Sequence, residues 1–513
     1  MKQTALSGFC IAILSMINLP LMVGAQSPVA GVRAYRTAHE AEIIGEFVES
    51  LSIPNVASDS INIGRNADKL IGMMTRRGIQ AVRLLGGGGP PLIFGELKTP
   101  GATRTIGFYA HYDGQPVEPS KWASDPFKPT LRDKPLESGG RVIPFPKPGE
   151  KFDPEWRLYG RSASDDKAPI IALLAALDAL KNSRTSLTAN LKFLFDGEEE
   201  AGSPHLAAAV ARSSELLAAD IWICADGPVH QSRRPQLYFG VRGIVQVDIT
   251  VYGANRALHS GHYGNWSPNP AMRLAKLLAG MKDDNGRVLI DGFYDGAVTL
   301  GEEERQALKE MPTTDAELMR EYGLAATDGS GRPLAELINE PSLNIDGLRS
   351  EDVGRQARTI IPAEATATVD LRLVKGIEPR RQVERLIAHI KKQGYFVVTG
   401  EPDLETRLKH PLTARVVSDE GYPAVRTSMS LPIVSKVIAA VERAIGQRPV
   451  MLPTMGGSGP LWVIDVATKA PQVGVPIVNH DNNQHSSNEN LRIQNLWDGI
   501  EIFAALMTIS DKP

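Results

Sequence analysis

Two periods of hydrophobic residues divide the chain. Apolar residues spaced three and four apart predict helices over 40–51, 66–77, 167–181 and 204–217. Between them, short apolar or alternating runs predict strands over 81–85, 91–97, 105–109, 190–195 and 220–225. Strands that alternate with helices bury both faces of a sheet, so this part reads as an α/β layer structure. Near Gly240 the rhythm changes. Residues 245–252 and 363–373 alternate with a period of two, the pattern of a sheet covered on one face only. Helices are predicted over 270–281 and 378–392, and a polar, Gly- and acid-rich stretch fills 283–342. Beyond about Ser430 the first rhythm returns, with helices over 432–445 and 495–509 and strands over 449–452 and 472–476. This order predicts a smaller α+β domain, residues 240–401, inserted into a discontinuous α/β domain made of residues 26–239 and 402–513.

The amino terminus adds a further element. Lys2 precedes an uncharged apolar run over 6–23, broken by Pro20, and Val23-Gly24-Ala25 offers small residues at a cleavage site. A cleaved signal peptide over residues 1–25 is therefore expected, with export to the periplasm or medium and no stable membrane anchor afterwards. A transmembrane anchor is the rival, and the absence of a basic stop-transfer cluster weighs against it. Of the two cysteines, Cys10 leaves with the leader and Cys224 stays alone, so no intrachain disulfide forms. The 513 residues carry 56 basic and 59 acidic side chains, a formal net charge of −3. A nucleic-acid surface shows a basic excess, so no such partner is expected. The run Gly86-Gly87-Gly88-Gly89 lacks the Lys-Ser/Thr of a phosphate loop and reads as a plain loop.

Carboxylates and histidines gather at the predicted strand ends, where open α/β sheets place their sites. Ala110-His111-Tyr112-Asp113 follows the strand over 105–109. A histidine with an acid two residues on suits a metal ligand whose other ring nitrogen is held by a carboxylate. Ser164-Asp165-Asp166-Lys167 enters a helix, where helix capping explains one acid well and two less well. Asp196-Gly197-Glu198-Glu199-Glu200 follows an apolar strand, and so many like charges repel unless cations, protons or solvent compensate. Asp226 ends another strand, and a polar loop over 479–489 supplies His480 and His485. Two histidines and several acids on strand-end loops of one sheet point to a hydrolytic metal site with N/O ligands, for which zinc fits best.

In this order the segments resemble the co-catalytic dizinc metallopeptidase family. That family contains carnosinases, bacterial dipeptidases, aminoacylases, glutamate carboxypeptidase and succinyl-diaminopimelate desuccinylase. The likeness is greatest to its dipeptidase and carnosinase branch. It implies two Zn2+ per subunit, with Mn2+ or Co2+ as substitutes. Asp165 would bridge them, His111 and Asp226 would complete one site, and Glu200 and His485 the other. Glu199 would be the general base that takes a proton from a metal-acidified water, and Asp113 would orient His111. The resemblance also implies a cis peptide between Asp165 and Asp166.

The inserted part resembles the family's lid and dimerisation domain. Leu258-His259-Ser260-Gly261 is similar to the lid motif whose histidine reaches the partner's active site, implying a homodimer through the lid. Asp370-Leu371-Arg372-Leu373 is similar to the segment whose arginine grips the substrate carboxylate, and Gly456-Gly457-Ser458 to the loop opposite. Ser162 and Ala168 stand where the family usually has glycine, Asp196 where it usually has Glu, and Met455 where many relatives carry Glu. The Pro- and Gly-rich stretch over 131–155 is longer than usual and reads as surface decoration. The expectation is an exported metallopeptidase acting on dipeptides or N-acyl amino acids. The alternatives are a deacylase or carboxypeptidase of the same family and a non-catalytic peptide-binding protein, against which an intact Glu199 argues. A serine hydrolase fails because Gly456-Gly457-Ser458-Gly459-Pro460 does not complete G-x-S-x-G.

Overall fold

The computed structural model describes residues 28–84 and 87–509. The expected signal peptide with Cys10, the Gly86 of the glycine run and the last residue of the predicted strand over 81–85 lie outside them. A mixed eight-stranded sheet forms the centre of the first unit. Its order is Gln80–Leu84, Leu92–Leu97, Asn190–Asp196, Thr105–His111, Ile221–Cys224, Gln472–Gly474, Gln236–Tyr238 and Val450–Leu452. The strands Asn190–Asp196, Thr105–His111, Ile221–Cys224 and Gln472–Gly474 run parallel, so their carboxyl ends share one edge. Close strand packing at the middle depends on Gly107, where an added Cβ would stand 2.4 Å from the Trp222 ring.

Helices cover both faces. One face packs Lys167–Asn182, Pro432–Ile445 and Ile493–Met507 around Phe108, Phe193 and Phe503. The other packs Leu206–Arg212 and Leu461–Thr468 over Tyr109, Leu194 and Trp222. Helix Lys167–Asn182 reads as apolar almost all round because it is buried on all sides, with Lys167 itself inside. The predicted helix over 204–217 is divided, with a short α-helix Leu206–Arg212 followed by a 3-10 turn Ser214–Leu217.

The second unit is a seven-stranded sheet with its own core, centred on Val247, Ile249, Val369 and Leu371. Its long strand Gly240–Tyr252 pairs antiparallel with Glu364–Leu373 on one side and Thr413–Ser418 on the other. This sheet runs on past Glu401, the expected junction, because Thr413–Ser418 alternates buried Ala414 and Val416 against the same core. The polar stretch over 283–342 holds helices Glu302–Glu310 and Asp315–Glu321, and strand Ser342–Arg349 leaves it to form the sheet's edge.

The stretch over 131–155 is not decoration. Strand Thr130–Arg132 pairs with Arg157–Tyr159, which pairs with Asn490–Arg492. Leu131 and Phe152 are buried, and the Phe152 ring meets Trp156 and Trp497 edge-on. Glu137 of this stretch accepts from Asn483 Nδ2 at 3.0 Å, a contact with the loop that carries His485.

Candidate active site

Three of the parallel strands lead into the site: His111 ends Thr105–His111, Glu199 and Glu200 follow Asn190–Asp196, and Asp226 follows Ile221–Cys224. His111 is the last residue of Thr105–His111, fully buried, with Nε2 2.8 Å from Asp165 Oδ1 and Nδ1 3.2 Å from Asp113 Oδ1. Asp165 turns its other oxygen to His485, whose Nε2 stands 3.1 Å from Asp165 Oδ2 and 3.2 Å from Glu200 Oε2. Ligand atoms of Asp165, Glu200 and His485 lie within 4.8 Å of one another, as do those of His111, Asp166 and Asp226. The expected metal-site residues are thus brought together as two adjoining groups that meet at His111 and Asp165.

Asp166 is the residue that sequence reasoning left without a role. It precedes helix Lys167–Asn182 but makes no side-chain cap bond, and its Oδ2 accepts instead from His111 N–H at 3.3 Å. The signal was the doubled acid, one more than a cap requires. The Asp165–Asp166 peptide is cis.

The electrostatics follow from burying acids together. Burial, and then the charge of Asp165, pushes Glu200 up to about 7; the same two causes push Asp226 up to about 6. Burial, with Asp226 and Asp165 beyond it, holds Glu199 well above the usual carboxyl range. The hydrogen bond to Asp165 raises His485 to about 9. Buried carboxylates crowded around the buried His111, with His485 at the exposed rim, fit hard or borderline divalent cations.

A profile of Peptidase family M20/M25/M40 matches residues 107–509. The chain belongs to that family. The M20 enzyme is therefore a metal-dependent hydrolase of peptide bonds, on the α/β fold with an added lid that its sequence predicts. It is 26% identical over 432 residues to the Beta-Ala-His dipeptidase of Mus musculus, covering 81% of this chain and 79% of that protein. It is 26% identical over 485 residues to the Cys-Gly metallodipeptidase dug1 of Schizosaccharomyces pombe, covering 90% of this chain and 94% of that one. The crystal structure of an M20 family metallo-carboxypeptidase, Sso-CP2 from Sulfolobus solfataricus, superposes with a TM-score of 0.75 at 27% identity. The match covers 91% of this chain and 99% of the other. Human carnosine dipeptidase 1 shares the fold, with a TM-score of 0.72 at 22% identity over 94% and 98% of the two chains.

In the M20 chain the second sheet brings Arg372 to the site. Arg372 Nη1 donates to Ser458 Oγ at 2.9 Å, and Ser458 lies in the short strand Met455–Ser458 that pairs with the start of Gly240–Tyr252. The loop passes close to Glu199, for a Cβ at Gly459 would stand 3.8 Å from Glu199 Oε1. Gly457 is exposed on this loop, and a Cβ there would stand 3.8 Å from Met455 Cε. Arg242, opposite Ser458 in the ladder, is a buried companion that the sequence reading passed over. It donates to Glu340 O and Ser342 Oγ, and burial together with the charge of Arg372 lowers its pKa to about 10. His259 is not part of this cluster: it is exposed, with Nδ1 accepting from Gly261 N–H and its ring against His262.

Proposed function

We propose that this enzyme is a dinuclear metallodipeptidase that releases a C-terminal amino acid from dipeptides. The carrying observation is Asp165, which offers one oxygen to His111 and the other to His485 and so would be shared by two ions held on either side of it. His111, Asp226 and the Asp165 oxygen that faces His111 Nε2 would hold one ion, with Asp166 beside His111 and Asp226. Asp165, Glu200 and His485 would hold the other, with zinc favoured and manganese or cobalt as substitutes. When bound, such ions supply Lewis acidity at the scissile carbonyl and to the attacking water.

The rest is done by the chain. Asp113 orients the His111 ring through Nδ1 and accepts the backbone N–H groups of Glu199 and Glu200, each at 3.1 Å. Glu199 takes the proton of the attacking water and returns it to the leaving amine. Arg372 and Ser458 receive the substrate's terminal carboxylate, which replaces the hydroxyl oxygen as the guanidinium's partner. A homodimer completes the site. Strand Ser342–Arg349 is an open sheet edge with Ile345 and Leu348 exposed, a surface suited to pairing with a second copy, and His259 of the partner subunit would reach the oxyanion. Export follows from the leader read in the sequence, and N-terminal sequencing of secreted protein beginning at Gln26 tests it.

One observation favours N-acyl amino acids as a second substrate class. Met455 Sδ would stand 3.3 Å from a Cβ at Gly227, the residue after Asp226, so an apolar thioether rather than a carboxylate borders the site on this side. A panel of dipeptides, β-alanyl dipeptides and acylated amino acids, each with added zinc and with dipicolinate, decides between them. Turnover of any of these that survives complete metal removal overturns the metallopeptidase reading.

A further inference from the structure

The side chain of Glu489 ties the loop carrying Asp165 to the loop carrying His485. It is fully buried and accepts four hydrogen bonds, two on each oxygen. Oε2 takes Arg161 Nη1 and the Ser162 N–H, each at 2.9 Å. Oε1 takes the Ser164 and Asp165 N–H groups, each at 2.8 Å. Successive backbone N–H groups turned toward one point form an anion cradle, and here the chain itself supplies the anion.

The cradle matters because neither loop is regular. Ser162 has φ 60°, and His485 and Asn488 have φ 59° and 64°, in the left-handed region that non-glycine residues avoid. Such turns persist only where their surroundings over-determine them. Glu489 sits immediately before strand Asn490–Arg492, which pairs with Arg157–Tyr159, so its position is fixed by the sheet. Further bonds join the two loops around it: Arg161 Nη2 to Ser486 O at 3.1 Å, Ser164 Oγ to Asn490 O at 2.7 Å, and Gly160 N to Glu489 O at 3.1 Å.

We propose that Glu489 is a positioning residue of the metal centre, a buried carboxylate that fixes Asp165 against His485. This rests on reading Asp165 and His485 as metal ligands. A carboxylate is required, not merely a polar group. In Glu489→Gln, whichever way the amide turns, two of the four donors face an NH2 group and lose their acceptor. Asp165 then keeps its carboxylate but loses its fixed place.

The test is zinc binding, measured by calorimetry in competition with a chelator and by metal content per chain. Glu489→Gln should weaken zinc binding roughly 10- to 100-fold, the usual effect of removing a partner that orients a ligand. Glu501→Gln is the control, since Glu501 is also a buried carboxylate, but its ion-pair partners are Arg33 and Arg36 and none of the cluster's residues. It should lower Tm and leave zinc affinity unchanged. The double variant Arg161→Gln/Glu489→Gln, with no unpaired buried charge, should fold where the single variant does not, and should show the same zinc loss. Wild-type affinity in a folded Glu489→Gln or double variant overturns the proposal, as does an equal loss in Glu501→Gln. A wild-type protein that takes up no zinc overturns the ligand reading beneath it instead.

Discussion

Asp113 holds Glu199 by its backbone: Oδ1 accepts the Glu199 N–H at 3.1 Å and stands 3.2 Å from His111 Nδ1. The acid read as a base and the histidine read as a ligand are thus set by one carboxylate. Glu199→Gln keeps that backbone bond and removes only the proton acceptor. Turnover should fall by roughly 10²–10⁴-fold with metal content unchanged. Asp165→Ala should lose metal as well. Near-normal turnover in metal-loaded Glu199→Gln would show that the base lies elsewhere.

Metal binding should strengthen the fold most at high pH. Asp226 and Glu200 have folded pKa values of about 6 and about 7, above their ordinary 3.8 and 4.5, and His485 is raised from 6.5 to about 9. A raised pKa contributes stability below the unfolded value and loses it as pH rises through the folded value. The metal-free protein should therefore lose stability between about pH 4 and pH 9. Divalent ions compete with protons for these groups, so their stabilisation grows over the same range. The Tm gap between zinc-loaded and metal-free protein, followed by calorimetry, should be wider near pH 8.5 than near pH 5.5. A gap independent of pH would separate this cluster from the bound ions.

Much of this site was legible because its chemistry is local in sequence. His111 and Asp113, or Glu199 and Glu200, sit on turns right after strongly apolar strands, and period and residue type locate both. The stretch over 131–155 escapes the pattern because its two buried large apolar side chains, Leu131 and Phe152, are isolated among prolines and charges and carry no period. Strand Ser342–Arg349 gave no signal for the opposite reason: most of its residues are exposed, so no alternation marks it. Glu489 was visible only as one polar residue among many. Its four donors come from a loop more than 300 residues earlier, a pairing no local pattern encodes.

Arg372→Ala should raise KM for dipeptides with a free C-terminal carboxylate about 10- to 100-fold, since hydrogen bonds to charged groups contribute about 1.5–3 kcal/mol. C-terminally amidated substrates, poor for the wild type, should change little. Steady-state kinetics on matched acid and amide pairs gives the ratio directly. An unchanged acid-to-amide ratio would remove Arg372 from the carboxylate subsite.

His259→Ala should reduce kcat by roughly 10²–10³-fold with metal binding intact, the effect of losing an oxyanion donor. Mixing it with Glu199→Gln under conditions of subunit exchange should restore activity. In the mixed dimer one site has Glu199 from one chain and His259 from the other, and the second site has neither. Recovery should approach half of wild type per heterodimer. Demonstrated exchange with no recovery would confine His259 to its own subunit.

The clasp between Arg33 and Glu501 joins residues 468 positions apart. At about 5–20 residues per second, synthesis separates their appearance by roughly half a minute to a minute and a half. Throughout that interval Phe108 and the apolar face of Lys167–Asn182 lack Phe503 and the rest of helix Ile493–Met507, which completes their cover. The growing chain therefore carries its largest sheet half-dressed until the last helix emerges, and the enzyme's first core is also the last to close.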